Sequence, residues 1–202
     1  MQSNIHLTPS ELKQARELAE VHLQCWHETY TGLIDQNFLD SLKVDNFEKR
    51  WCQNLLNPTP QTLRLSLMHN QKIIGFCCAG PARNNLPGSP AEIYAIYLLR
   101  QNQGHGLGAA MMQCMARFIL AQNWIEAHVW VLSGNHTSKF YEYCGGIQLQ
   151  CTQFITLGAH RYEELCYHLD YKALTHLVNY YPYVPDNPHL LANATAKVDC
   201  HA

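Results

Sequence analysis

The amino-acid sequence predicts an α+β fold: a mixed, mostly antiparallel sheet of about six or seven strands with helices on both faces, organised around a central strand, glycine loop and helix. Three observations predict it. Leu63, Leu65 and Leu67 alternate with polar residues and lead, across His69-Asn70-Gln71, into the apolar run Lys72 to Gly80, the pattern of an antiparallel hairpin. A second hairpin is written in Ile147 to Leu157 and Arg161 to Leu169, on either side of Gly158-Ala159-His160. Between the two hairpins, the apolar run Ala91 to Leu99 meets glycines at 104, 106 and 108, and then Leu107, Met111, Cys114, Met115, Phe118 and Ile119 recur at helical spacing.

The remaining elements follow in order. Thr8 with Glu11 forms a capping box, Pro9 suits a first helical position, and Leu12, Ala15, Leu18, Ala19, Val21 and Leu23 share a face, so a helix is expected from about Pro9 to Trp26. Gly32 breaks that pattern. Phe38, Leu39 and Leu42 mark a short second helix, and Asp45 to Leu56 a third, closed by Asn57 and Pro58. The loop from Pro81 to Pro90, rich in Pro, Gly and Asn, is expected to rim the functional site. Ala127 to Leu132 reads as a strand and Asn135 to Tyr143 as a short helix stopped by Gly145-Gly146. Residues 1–170 read as one domain. Residues 171–202 read as a C-terminal extension, with a short helix at Lys172 to Tyr180 and no legible role.

Composition narrows the function classes. A chain of 202 residues buries roughly 70% of its unfolded surface, enough for a core without staples. With 14 basic against 16 acidic residues it lacks the positive field of a general nucleic-acid binder. The nine cysteines are odd in number, form no C-x-x-C and fall mostly in apolar stretches, so they read as free thiols in a reducing compartment. None of the twelve histidines makes H-x-x-x-H, and no metal is expected. The N-terminal segment has no basic and apolar leader pattern, and no stretch approaches 18 apolar residues, so a cytoplasmic protein with no membrane partner is expected.

The glycine loop is where chemistry enters. Glycines at 104, 106 and 108 let the backbone approach a ligand closely, and a helix N-terminus offers unpaired N–H groups and a favourable dipole to an anion. A pyrophosphate suits it. No Lys-Ser or Lys-Thr follows, which excludes a P-loop. Gly104, Gly106 and Ala109 satisfy the dinucleotide pattern G-x-G-x-x-A, but Glu126 precedes the next strand, where a ribose carboxylate should end it.

The third pattern, Gln103-Gly104-His105-Gly106-Leu107-Gly108, resembles the acetyl-coenzyme A signature of the GNAT N-acetyltransferase superfamily. The resemblance extends over about Leu12 to Leu169, through WHETYTGLI, TLRL, KIIGFCCAGPAR, AEIYAIYLL, HVWVLSGN and KFYEYCGG in the family's order. It implies acetyl-coenzyme A as co-substrate, held by the backbone from Gln103 to Ala109 and by main-chain groups of Ile96, Tyr97, Leu98 and Leu99, where the central strand splays from its neighbour. It implies that the N–H of Leu98 or Leu99 polarises the thioester carbonyl, that Asn135 orients the cofactor or caps a helix, and that Tyr141 protonates the departing thiolate. A phenol titrates near 10 and a thiol near 8.5, so Tyr141 keeps a proton to give.

Glu92 matches a position that takes the amine's proton, draws in a cation, or caps a sheet edge, and strand alternation would place Glu92, Tyr94 and Ile96 on one face. Trp26, Glu28, Tyr30 and Tyr94 are expected to shape the acceptor side. Two departures from the family stand out: His105 replaces a frequent basic residue, and Arg100-Gln101 a proline-acid pair. The acceptor is expected to be an amine-bearing small molecule or peptide, and the protein a monomer or homodimer. A non-catalytic acyl-coenzyme A binding module on the same fold is the alternative, because fold alone does not fix function.

Overall fold

A computed structural model of the chain describes residues 5–83 and 89–180. Seven strands form one sheet in the order β1-β2-β3-β4-β5-β7-β6: β1 (Ile5–Pro9), β2 (Leu63–His69), β3 (Lys72–Pro81), β4 (Ala91–Leu98), β5 (Ala127–Leu132), β6 (Ile147–Leu157) and β7 (His160–Leu169). All neighbours are antiparallel except β4 and β5. The helices are α1 (Ala15–Tyr30), α2 (Gln36–Ser41), α3 (Val44–Leu56), α4 (Leu107–Ala121), α5 (Ser138–Tyr143) and α6 (Tyr171–Tyr180). No helix among the described residues is long and apolar enough to cross a membrane.

The N-terminus corrects one expectation. Thr8 and Pro9 belong to an edge strand, with Leu7 opposite Leu67, and α1 starts six residues later than expected, at Ala15. Pro9 is tolerated because an edge strand can dispense with a ladder N–H. The turn is bracketed instead at Glu11, whose N–H donates to Gln14 Oε1 at 2.9 Å. Elsewhere the expected elements appear among the described residues, with α5 starting three residues later than expected, at Ser138. Asn70 and Gln71, both at positive φ, make the two-residue turn between β2 and β3.

Cross-strand partners share a face, so the β3–β4 register assigns the two sides of the sheet. Phe76 and Tyr97 face α1 and α3, where His22 packs edge-on against Phe47 at 4.7 Å and Phe76 at 4.8 Å. Cys77 and Ile96 face the opposite side, covered by α4 with its buried Met111, Met115 and Phe118. On that side α6 buries Leu174 and Leu177 against α4, and Gln113 and Arg117 donate to the Val178 carbonyl at 3.1 and 3.2 Å. Part of the Pro81 to Pro90 loop, and the tail after residue 180, lie outside the described residues.

Candidate active site

The parallel strands β4 and β5 pair only at Ala91–Ala127 and Glu92–His128, then diverge. The opening is a cleft of about 330 Å³ lined by residues of both strands, by Tyr141 of α5 and by His22, Trp26 and Tyr30 of α1. A bulge at Tyr94, where Ile93 opposes Ala79 but Ala95 opposes Cys78, bends β4 at the point of divergence. The bulge also resets the alternation. Glu92 shares its face with Ala95 and Tyr97, while Ile96 lies on the other, so the expected single face of Glu92, Tyr94 and Ile96 does not exist.

The cleft needs backbone donors, and the ladder shows which are free. The Leu99 N–H donates to the Ile74 carbonyl at 2.9 Å, which makes residues 99 and 97 the hydrogen-bonded positions toward β3. Alternation then turns the N–H groups of Ile96 and Leu98 toward the gap. Of the two amides expected to meet a carbonyl, Leu99's is engaged in the sheet.

Gly104 and Gly106 sit at φ +81° and +76°, a left-handed geometry that side chains with Cβ avoid. Gly106 caps α4 and accepts from the Ala110 N–H at 3.1 Å, leaving the N–H groups of Leu107, Gly108 and Ala109 without a carbonyl one turn back. Gln103 Nε2 donates to the Leu98 carbonyl at 2.9 Å, tying the loop to the end of the open strand. Gln103, Gly104, His105 and Gly106 are exposed, so the cradle faces outward beside the cleft. Exposure, positive φ and open amides are what an incoming diphosphate requires, and the segment fits the carrier implied by the sequence.

Asn135 borders the cleft and its side-chain oxygen accepts from the Thr137 N–H at 3.0 Å, so it caps the turn into α5. Tyr141, on that short helix, is buried, lines the cleft, and packs its ring 6.0 Å from Tyr167. Burial raises its pKa above the usual phenol value.

The acceptor-side expectations divide. Trp26, Tyr30 and Tyr94 line the cleft, and the Tyr30 and Tyr97 hydroxyls meet at 2.9 Å. Burial raises both phenols. Tyr97 therefore presents its side chain to the acceptor wall, and only its backbone lies along the donor side. Glu28 is drawn elsewhere: its Oε2 accepts from the Arg100 N–H at 2.7 Å and its Oε1 from Gln24 at 2.8 Å, bracing α1 against the end of β4.

Glu92 is fully buried and does not line the cleft. Arg83 donates to it from its backbone N–H at 2.9 Å and from its guanidinium to both oxygens. His128 Nε2 is 4.0 Å away, and Ser89 Oγ meets His128 Nδ1 at 2.8 Å. Arg83 itself reaches the cleft, lying over the Tyr94 ring at 4.6 Å.

Sequence reasoning missed Glu164. It stands on β7 opposite Leu132, lines the cleft, accepts from Gln153 Nε2 at 2.9 Å, and burial raises its pKa above the usual carboxylate value. The tandem Glu163-Glu164 gives no sign of which carboxylate points inward, and only the β5–β7 register decides it.

A splayed α+β sheet with an outward amide cradle at the head of a buried helix is a fold that known acetyltransferases share. A model of the Acetyltransferase (GNAT) family matches residues 17–145. YuaI of Bacillus subtilis strain 168, named an uncharacterized N-acetyltransferase, is 31% identical over 133 residues, 66% of this chain and 75% of YuaI. The PaiA N-acetyltransferase from Thermoplasma acidophilum, solved in complex with coenzyme A, superposes with a TM-score of 0.64 at 16% identity, over 83% of this chain and 99% of that one. The structure of yncA from Salmonella typhimurium with its cofactor acetyl-CoA has a TM-score of 0.60 at 14% identity, over 91% and 99%. The chain belongs to the GNAT acetyltransferase family and is an N-acetyltransferase.

Proposed function

We propose that the protein transfers the acetyl group of acetyl-coenzyme A directly to the amine of a small molecule or peptide, with both substrates held in the cleft at once. The observation that carries this reading is the opening between β4 and β5, which runs from Gln103, next to the amide cradle, to an aromatic wall of Trp26 and Tyr30. Acetyl-coenzyme A supplies a thioester, an acyl group already activated toward amines. The amides of Leu107, Gly108 and Ala109 hold the diphosphate, and the open edge of β4 at Ile96 and Leu98 pairs with the extended arm. The Leu98 N–H is the donor placed to draw charge onto a carbonyl oxygen.

Tyr141 gives a proton to the leaving sulfur. Its burial keeps the phenol protonated across the working range, so the donor is always loaded. The amine must lose a proton, and Glu164 is the carboxylate that faces the cleft. Burial brings its pKa closer to neutrality, where a general base is most effective. Glu92, enclosed by Arg83, positions that arginine. Direct transfer is favoured over a covalent acyl-enzyme because no cysteine lines the cleft among the described residues, and burial pushes Cys25, Cys78, Cys144 and Cys166 up to about 12.

Calorimetric titration with coenzyme A, paired with a thiol-release assay over an amine panel, tests the proposal. Saturable cofactor binding with turnover on an amine supports it. Tight binding with no turnover on any amine favours the non-catalytic acyl-coenzyme A module.

A further inference from the structure

We infer that the amine acceptor carries an anionic group, a carboxylate or a phosphate, which docks in an arginine-lined groove running from the acceptor end of the cleft. The inference rests on the acetyltransferase reading above and narrows its substrate class.

The groove lies between α3 and the faces of β2 and β3 and has a volume of about 530 Å³. His22, Arg83, Tyr94 and Ala95 line both it and the cleft, so the two spaces adjoin across these four residues. Phe47, Trp51 and Phe76 give it an apolar floor. Its charge is one-sided: Arg50 from α3, Arg64 from β2 and Arg83 after β3 all line it, and no Asp or Glu does. Three of the chain's seven arginines thus converge on one groove in a protein whose net charge is -2.

The nearest acidic side chains are already engaged. On α3, Asp45 and Glu48 both pair with Arg16, at 2.7 and 2.8 Å. Glu92 is enclosed by Arg83. Arg50 and Arg64 have no ion-pair partner among the described residues. Register places Arg64 opposite Cys78, on the face that looks into the groove. Burial raises the Cys78 and Tyr94 pKa values and the charge of Arg64 opposes both shifts, while burial lowers that of His22 and the charge of Arg50 adds to it. The fields of both arginines therefore reach the groove walls.

The opposite end carries the opposite sign. Glu164 lines the cleft and not the groove, Arg50 and Arg64 line the groove and not the cleft, and Arg83 lies between them with its charge met by Glu92, so the two adjoining spaces run from a carboxylate to two unpaired guanidinium groups. A molecule with an ammonium at one end and an anion at the other matches both poles. Arginine suits the second role because its planar fork binds carboxylate and phosphate oxygens in pairs. An alkylamine with no anion would leave the arginine end unmatched.

The test measures kcat/KM for acetylation of three matched series of equal chain length: n-alkylamines, ω-amino acids and aminoalkyl phosphates. The expected result is a preference of at least about tenfold for one or both anionic series, appearing mainly in KM. The carboxylate and phosphate arms identify which anion the groove takes. Arg50→Gln combined with Arg64→Gln should collapse the ratio of anionic to plain amine toward one, and Arg50→Glu should invert it. The KM for acetyl-coenzyme A and the far-UV circular dichroism report any general fold defect. Alkylamines used as well as their anionic counterparts, or a selectivity ratio that the arginine variants leave intact, overturn the inference while leaving the acetyltransferase reading standing. Turnover of none of the three series, with an uncharged amine outside them acetylated, overturns the inference alone; coenzyme A binding without turnover of any amine overturns both.

Discussion

Replacing Glu92 by Gln separates two roles that a carboxylate on the central strand could play. The side chain is 1% exposed and accepts from the Arg83 backbone N–H and from its guanidinium at both oxygens. Glutamine can keep an oxygen for the amide, but it sets an NH2 against the guanidinium and removes the charge from the fork. Breaking a fully buried pair costs ~3–5 kcal/mol, and a hydrogen bond to a charged group contributes ~1.5–3 kcal/mol. The Arg83 side chain is 63% exposed and can turn to water, so the smaller figure applies and about 2 kcal/mol should be lost. At about 2–4 °C per kcal/mol for a chain of this size, the melting temperature should fall by about 4–8 °C. Thermal unfolding followed by circular dichroism reads this fall, and kcat/KM measured from about pH 6 to about 10 reads the chemistry. Glu92→Gln should keep the acid limb of the profile, and Glu164→Gln should lose it. An unshifted melting temperature together with a lost acid limb in Glu92→Gln would refute the reasoning and return the base role to Glu92.

Other substitutions probe the remaining parts. Tyr141→Phe should lower kcat about a hundredfold or more, with the KM for acetyl-coenzyme A nearly unchanged, because it removes a proton donor and leaves the packing; stopped-flow thiol release would show whether that loss is absent. Gly106→Ala meets no neighbouring atom, so its cost is the left-handed φ of +76°, about 1–2 kcal/mol. That strain should raise the KM for acetyl-coenzyme A, and an unaltered KM would show that the loop's shape does not matter.

His22 supplies a stability test, since burial first and Arg50 second push its pKa down to about 3. The unfolded chain then binds a proton that the folded one refuses, so the His22 contribution is complete above pH ~6.5 and should decline by about 1.4 kcal/mol per pH unit as pH falls toward 3. Denaturant titrations of His22→Leu should show a shallower acid slope than the parent; equal slopes would mean that other groups carry it.

The sequence revealed most strands because alternation and turn residues coincide, as at Leu63, Leu65 and Leu67 before Asn70-Gln71. It concealed β1 because a single buried residue, Leu7, marks that strand, while Thr8-Pro9 followed by Glu11 imitates a helix start. The loop and α4 were legible since glycines and helical spacing act locally. The acceptor wall was not, for reasons of register. One inserted residue at Tyr94 moves Ile96 to the far side of the sheet, and nothing in AEIYAIYLL announces it. Glu164 depends on pairing across β5 and β7, and Glu28 on which side of α1 meets Arg100. The arginine groove draws Arg50, Arg64 and Arg83 from three separate elements, a convergence that only tertiary structure brings about.

The short seam between β4 and β5 has a mechanical consequence. With Ala91–Ala127 and Glu92–His128 as the only pairs that clasp β4 to β5 among the described residues, the two halves of the sheet resemble the leaves of a clothes peg. From Glu92 to Leu98 the lever is roughly 20 Å long, so one degree of tilt at the clasp moves the tip by roughly 0.3 Å. A misplacement of about 1 Å between reacting groups can cost about a hundredfold in rate. These four buried side chains, remote from any bond that forms or breaks, therefore set the gape of the jaws.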